Sequence, residues 1–258
     1  CFSCGKTIPW YLNIPVLSWL ILRGRCANCK APISVRYPVI EAVTALLFLL
    51  VFQMWANPHA LLLNAIPGQV PALILFYWIF VASVVVDVMI DIDHRILLDR
   101  ISLGGTLIAL AVSAAFPILH HAPSWWPALL ASLGGAAAGF GAGFAIAWLG
   151  ERIFLQDAFG FGDVKWLMLF GAIFGWRGAL FILMFAAFIG LAMGLVAIAV
   201  AKFRRTAADD DGAPFAIPFG PALGAAALLW LFWGNLLVDG LFAAHAWAFA
   251  HRTAVLAG

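Results

Sequence analysis

The chain has 258 residues, of which 65% are hydrophobic and only 10% charged, with a mean hydropathy of +1.04. A water-soluble domain carries about 25% charged residues. This chain has too few to cover its surface, and its 22 Phe and 12 Trp exclude a disordered polypeptide. What is left is an all-α polytopic membrane protein, and a formal net charge of +2 gives a nucleic-acid partner no electrostatic footing.

The first 36 residues differ from the rest. They hold all four cysteines, as Cys1-x-x-Cys4 and Cys26-x-x-Cys29. Two such knuckles place four thiolates around one ion, the pattern of a structural zinc site. Reduced free thiols or a redox pair is the alternative reading. Iron–sulfur ligation uses other spacings. Lys6, Arg23, Arg25 and Lys30 offset the charge of four thiolates. Between the knuckles, Ile8-Pro9-Trp10-Tyr11, Ile14-Pro15 and Trp19 form an apolar, proline-rich stretch suited to the membrane surface. Residues 1–36 are therefore expected to be a small zinc-binding domain, and residues 37–258 a membrane domain.

About seven apolar segments follow: Tyr37–Ala56, Val70–Ile90, Ile101–Ile118, Trp126–Leu149, Val164–Trp176, Ala179–Ala201 and Phe219–Ala243. They lack the alternation of barrel strands. The fifth, at 13 residues, is short for a hydrocarbon core of about 30 Å. Twelve of the 14 basic residues fall in the N-terminal segment and in alternate loops, with only Arg177 and Arg252 opposite. The positive-inside rule puts the twelve, and with them the four-cysteine domain, in the cytosol. The stretch Arg204–Pro214 reads as a solvated loop. The chain starts at Cys1 without an initiator Met, so a longer protein with a further span upstream is expected.

Acidic residues at span ends are functional candidates. Asp87, Asp91, Asp93 and Asp99 lie in VVVDVMIDIDHRILLDR, and Asp163 closes Gly160-Phe161-Gly162-Asp163. Glycines there permit close approach of a second backbone, and Asp163 starts a helix. Asp91 and Asp163 share one depth at the cytosolic edge, 72 residues apart in sequence. Asp87 shares a helix face with Asp91 and is either a relay or a paired structural group. Asp93 points to solvent. Lys165 either offsets the site's charge or snorkels to the interface. Glu41 and Arg36 are expected to pair, and His94 to be an interfacial polar residue.

The segment CFSCGKTIPWYLNIPVLSWLILRGRCANCKAPISVRYPVIE, followed by MIDIDHRILLDR, FGFGDVK and IPFGPAL, resembles the bacterial type IV prepilin peptidases, membrane aspartic peptidases of the Gly-x-Gly-Asp type. The resemblance implies that Asp91 and Asp163 are catalytic; Gly160, Gly162, Lys165 and Asp87 are the supporting candidates that the residues themselves suggest. It implies a prepilin or pseudopilin substrate cleaved at the cytosolic border of the inner membrane. It also implies N-methylation of the new N-terminus with S-adenosylmethionine, for which no nucleotide loop is visible. Leu98 replaces the family's Pro, and Asp157-Ala158-Phe159 replaces a commoner Glu-Gly-Met run. Helix dipoles make Asp163 the base and Asp91 the acid. A transporter or channel using membrane-edge carboxylates is the competing reading.

Overall fold

A computed structural model describes residues 1, 3–56, 69–154, 159–204, 218–234 and 236–237. A short 3-10 turn (Trp10–Leu12) precedes α1 (Leu17–Ile21), α2 (Arg36–Ala56), α3 (Val70–His94), α4 (Asp99–Ala115), α5 (Trp125–Phe154), α6 (Phe161–Arg204) and α7 (Gly220–Gly234). Among these residues there is no strand, only an isolated antiparallel bridge between Arg25 and Pro32. The chain packs as two units, Cys1–Val85 and Val86–Gly258.

The burial pattern is that of a protein dissolved in lipid. On α4 the polar or small residues Ser102, Thr106, Ala109 and Ser113 are buried, while Leu103, Leu107 and Ile108 are exposed. Water would sort those residues the other way. The buried hydroxyls are satisfied locally, Thr106 donating to the Ser102 carbonyl (2.7 Å) and Ser102 to that of Leu98 (3.3 Å).

Among the described residues, four helices are long and apolar enough to cross a bilayer: Arg36–Trp55, Val70–His94, Trp125–Ile153 and Phe161–Val200. The last has 40 residues, about 60 Å at 1.5 Å per residue and so twice a hydrocarbon core. It is interrupted at Gly175 (φ 73°, ψ 177°). The fifth and sixth expected segments are thus the two arms of α6, divided one residue before the anticipated end of the fifth. The third expected segment is cut short, since α4 stops at Ala115 and residues 117–120 form a 3-10 turn. α7 is shorter than a full span, and the predicted end of the seventh segment lies outside the described residues, as does the expected loop Arg204–Pro214 apart from Arg204, which ends α6.

Glycines set the distance between α5 and α6. Gly135, Gly139 and Gly143 recur every fourth residue on one face of α5. A Cβ on Gly135 would overlap the Gly171 carbonyl oxygen, and one on Gly139 that of Leu167. One on Gly143 would lie 3.2 Å from the Val164 Cα. The rail ends beside Asp163. At its other end Ser132 donates to the Ala172 carbonyl (2.7 Å), near the Gly175 break.

Candidate active site

Asp91 and Asp163 come from the opposite ends of their helices. Asp91 lies in the last turn of α3, which stops where Arg95 takes a left-handed conformation (φ 56°) and donates its N–H to the Asp91 carbonyl (2.9 Å). Asp163 lies in the first turn of α6. Its N–H reaches the Gly160 carbonyl (3.0 Å), and its carboxylate accepts the Gly160 N–H. The carboxylate's bond is that of the third helical residue in a capping box, reaching back to the N–H of the cap residue Gly160, whose backbone carbonyl takes the place of the cap side chain. A Cβ on Gly160 would stand 3.0 Å from Asp163 Oδ2.

The two carboxylates are buried, Asp91 at 6% and Asp163 at 8% exposure, and are close enough to interact electrostatically. A third segment, which sequence reasoning quoted without assigning it a role, completes the site. The Gly220 N–H donates to Asp91 Oδ2 at 3.0 Å, and a Cβ on Gly220 would fall 2.5 Å from that oxygen. Phe219, beside it, packs its ring on Phe159 from the Gly160 segment (centroids 5.3 Å apart). The Phe-Gly-Pro turn and the Gly-x-Gly-Asp turn therefore meet over the acid pair.

Asp87 is fully buried one turn before Asp91. It accepts the Trp166 indole N–H (2.7 Å) at Oδ2 and the Leu98 N–H (3.4 Å) at Oδ1. Trp166 is three residues after Asp163, so Asp87–Trp166 forms the next rung of the ladder whose first rung is Asp91–Asp163. Residues 95–98 are gripped from both sides: Leu98 by Asp87, and Leu97 by Gly162, where a Cβ would lie 3.2 Å from that of Leu97. Asp87→Ala leaves the Trp166 N–H buried without an acceptor. The expected loss is about 1–3 kcal/mol of stability, read by thermal unfolding in detergent.

Lys165 is not at the acid pair. Its ammonium binds Asp99 Oδ1 at 2.6 Å and lies over the Phe161 ring, tying the starts of α4 and α6 together. Glu41 accepts the Val16 N–H (2.7 Å). Asp93 and His94 are exposed. Asp157 and Ala158 lie outside the described residues. A cleft of about 360 Å³ opens beside Gly160, lined by Phe144, Trp148, Glu151, Phe159 and Phe161 among others.

The dipole argument that made Asp163 the base counted only Asp91's own helix. Asp91 also faces the N-terminus of α7 through Gly220, so both carboxylates sit at a helix N-terminus and the dipoles do not separate them.

The four cysteines form a second centre. Their sulfurs all lie within 4.8 Å of one another, and Cys1 Sγ and Cys29 Sγ are 3.9 Å apart. Four thiolates at about 2.3 Å from one ion are roughly 3.8 Å apart, so the group fits a single metal ion. The two knuckles repeat one turn: Gly5 donates to the Cys1 carbonyl (2.9 Å) and Lys30 to that of Cys26 (3.0 Å), with Gly5 and Lys30 both at positive φ. Backbone N–H groups of Cys29 and Asn28 point at the Cys26 sulfur and lower its thiol to about 7.

The profile described as Bacterial Peptidase A24 N-terminal domain matches residues 1–55, and that of the Type IV leader peptidase family matches residues 73–195. The chain is similar to a prepilin leader peptidase/N-methyltransferase of Myxococcus xanthus (37% identical; 76% of this chain, 52% of that one). It is also similar to one of Aeromonas hydrophila (34%; 91% and 71%) and to a type 4 prepilin-like proteins leader peptide-processing enzyme of Escherichia coli (34%; 90% and 74%). It thus spans about half the length of the first and under three quarters of the other two. No solved structure matches it.

Proposed function

Because the chain belongs to the type IV leader peptidase family, we propose that it is a membrane aspartic endopeptidase that removes the leader of type IV prepilins and pilin-like proteins. The observation that carries this reading is the buried pair Asp91 and Asp163, each carboxylate held by a glycine N–H. Two carboxylates in one site share a proton. The ionised one takes a proton from a water, whose oxygen attacks the scissile carbonyl. The protonated one gives its proton to the carbonyl oxygen. Collapse of the tetrahedral intermediate breaks the C–N bond, and a carboxyl group returns a proton to the leaving amine. The aromatic cleft beside Gly160 receives an apolar stretch of substrate. Cleavage of a prepilin in membranes tests the proposal, against which a pure transporter shows no proteolysis. Nothing in the comparisons favours the transporter.

The site and the four-cysteine domain face the cytosol of a bacterial inner membrane on the strength of the twelve clustered basic residues. The metal is zinc, held by Cys1, Cys4, Cys26 and Cys29. Four protein thiolates leave no open position, so its role is to fold the domain. About one zinc per chain is expected, lost on Cys26→Ser, as metal analysis reads. Binding competes with protons. A thiol held low in the folded chain favours the thiolate above that value, so affinity falls with pH and Cys26 joins the competition below about 7. A chelator titration against pH measures this. N-methylation with S-adenosylmethionine enters through the family alone. No cradle for the donor is recognisable among the described residues.

A further inference from the structure

The segment between the two cysteine knuckles holds large apolar side chains in the open. Trp10 is 82% exposed and Ile21 77%, and Tyr11, Leu17 and Leu20 are each more than half exposed. On α1, Leu17, Leu20 and Ile21 stand at i, i+3 and i+4, on one side. The inward residues are different ones. Ser18 is buried, and Trp19 donates its indole N–H to the Ile33 carbonyl (3.0 Å) while its ring packs on Gly24. Large apolar side chains left open in this number within 14 residues mark an interaction surface.

A hydrogen bond fixes the depth of that surface. Val16, which opens α1, has φ 61° and ψ −51°, an outlying conformation for a β-branched residue. Its N–H is thereby given to Glu41 Oε2 at 2.7 Å. Glu41 is five residues into α2, a spanning helix that starts at Arg36, so it lies about 7.5 Å along the axis. An interfacial helix sinks its apolar face ~5–10 Å into the boundary between headgroups and acyl chains. With Arg36 at the level of the headgroups, the bond holds α1 where such a face belongs. Charge agrees. Between Cys1 and Ile40 there are five basic residues and no acidic one, which suits anionic headgroups, and Trp and Tyr are the side chains that prefer this layer.

We propose that the segment from Ile8 to Ile21 is a monotopic membrane anchor. Trp10, Tyr11, Leu17, Leu20 and Ile21 enter the cytosolic leaflet, and the Val16–Glu41 hydrogen bond sets their depth. The cysteine domain is then seated on the lipid rather than suspended above it. This inference does not rest on the peptidase reading. It needs only that α2 crosses the bilayer with Arg36 at the headgroups of the cytosolic leaflet, the side on which the basic residues cluster.

The test uses the full chain in nanodiscs of phosphatidylethanolamine and phosphatidylglycerol, with the photoreactive residue benzoylphenylalanine placed at position 10 or, separately, 21. After irradiation, mass spectrometry of the digested chain is expected to find lipid adducts on the peptides carrying either position. Adducts to a peptide from residues 86–258 or to a second copy of the chain overturn the proposal, as does the absence of any adduct. The two positions lie on different local elements, so a folding fault at one leaves the other informative. In a Glu41→Ala background the lipid adduct at position 21 should drop several-fold. An unchanged yield there overturns the depth-setting role of the hydrogen bond.

Discussion

Asp91→Ala and Asp163→Ala are each expected to abolish cleavage of a prepilin in membranes, while the chain still inserts and accumulates. General acid–base chemistry contributes roughly 10²–10⁴-fold in rate, and the two acids act as one unit. The double variant should therefore be no worse than either single one. Asparagine separates chemistry from scaffolding. Asp91→Asn keeps an oxygen for the Gly220 N–H, and Asp163→Asn keeps one for that of Gly160. Both should retain the thermal stability of the parent and still lose activity, because an amide can neither accept the proton of the water nor return it. Product formation by gel mobility, scaled to the amount of enzyme present, reads the result. Substantial cleavage by either alanine variant ends the assignment of the pair. Methylation of a pre-cleaved pilin by the double variant is a separate question, since the proposed peptidase chemistry does not supply that activity.

The parts of this site that were legible in the sequence are those whose chemistry shows in one dimension. Carboxylates at the ends of apolar runs are costly, so Asp91 and Asp163 announce themselves, and two Cys-x-x-Cys pairs do the same for the metal centre. What stayed hidden depends on contacts across the fold. The partner of Asp87 is Trp166, 79 residues away, and no local pattern links an indole in an apolar helix to an acid in another. The dipole argument for acid and base lost its footing for the same reason, since α7 delivers its N-terminus to Asp91 from 129 residues downstream. For Lys165 the sequence leaves open whether it offsets the site's charge or snorkels to the interface, and its partner Asp99, 66 residues upstream, shows only in the fold. The hydrogen bond that Glu41 accepts from the Val16 N–H, 25 residues upstream, has no signature in the sequence. The break at Gly175 was nearly readable, because a single helix of that length exceeds any bilayer.

The glycines of α5 offer the second large effect, with its own control. In the run Gly134-Gly135-Ala136-Ala137-Ala138-Gly139-Phe140-Gly141, four glycines look alike in sequence. Gly135 and Gly139 touch the α6 backbone, whereas Gly134 and Gly141 have nothing within 4 Å of an added Cβ. Gly135→Ala and Gly139→Ala each place a methyl group on a carbonyl oxygen of α6 that cannot rotate away, so the helices must part. Overpacking commonly costs 1–3 kcal/mol, and a clash with backbone belongs at the top of that range, about 3 kcal/mol. Gly134→Ala and Gly141→Ala remove the conformational cost of a helical glycine and should be neutral or stabilising by up to about 1 kcal/mol. Thermal unfolding in detergent separates the two pairs. Activity should follow the same division, because the rail runs on through Gly143 to Val164, the residue after Asp163. Pushing α6 outward moves Asp163 away from Asp91, and a displacement near 1 Å is enough to cost about 10²-fold in a site that depends on placement. Equal behaviour of all four variants would mean that α5 and α6 do not meet along this face, and that Asp163 is held in place by its capping turn alone.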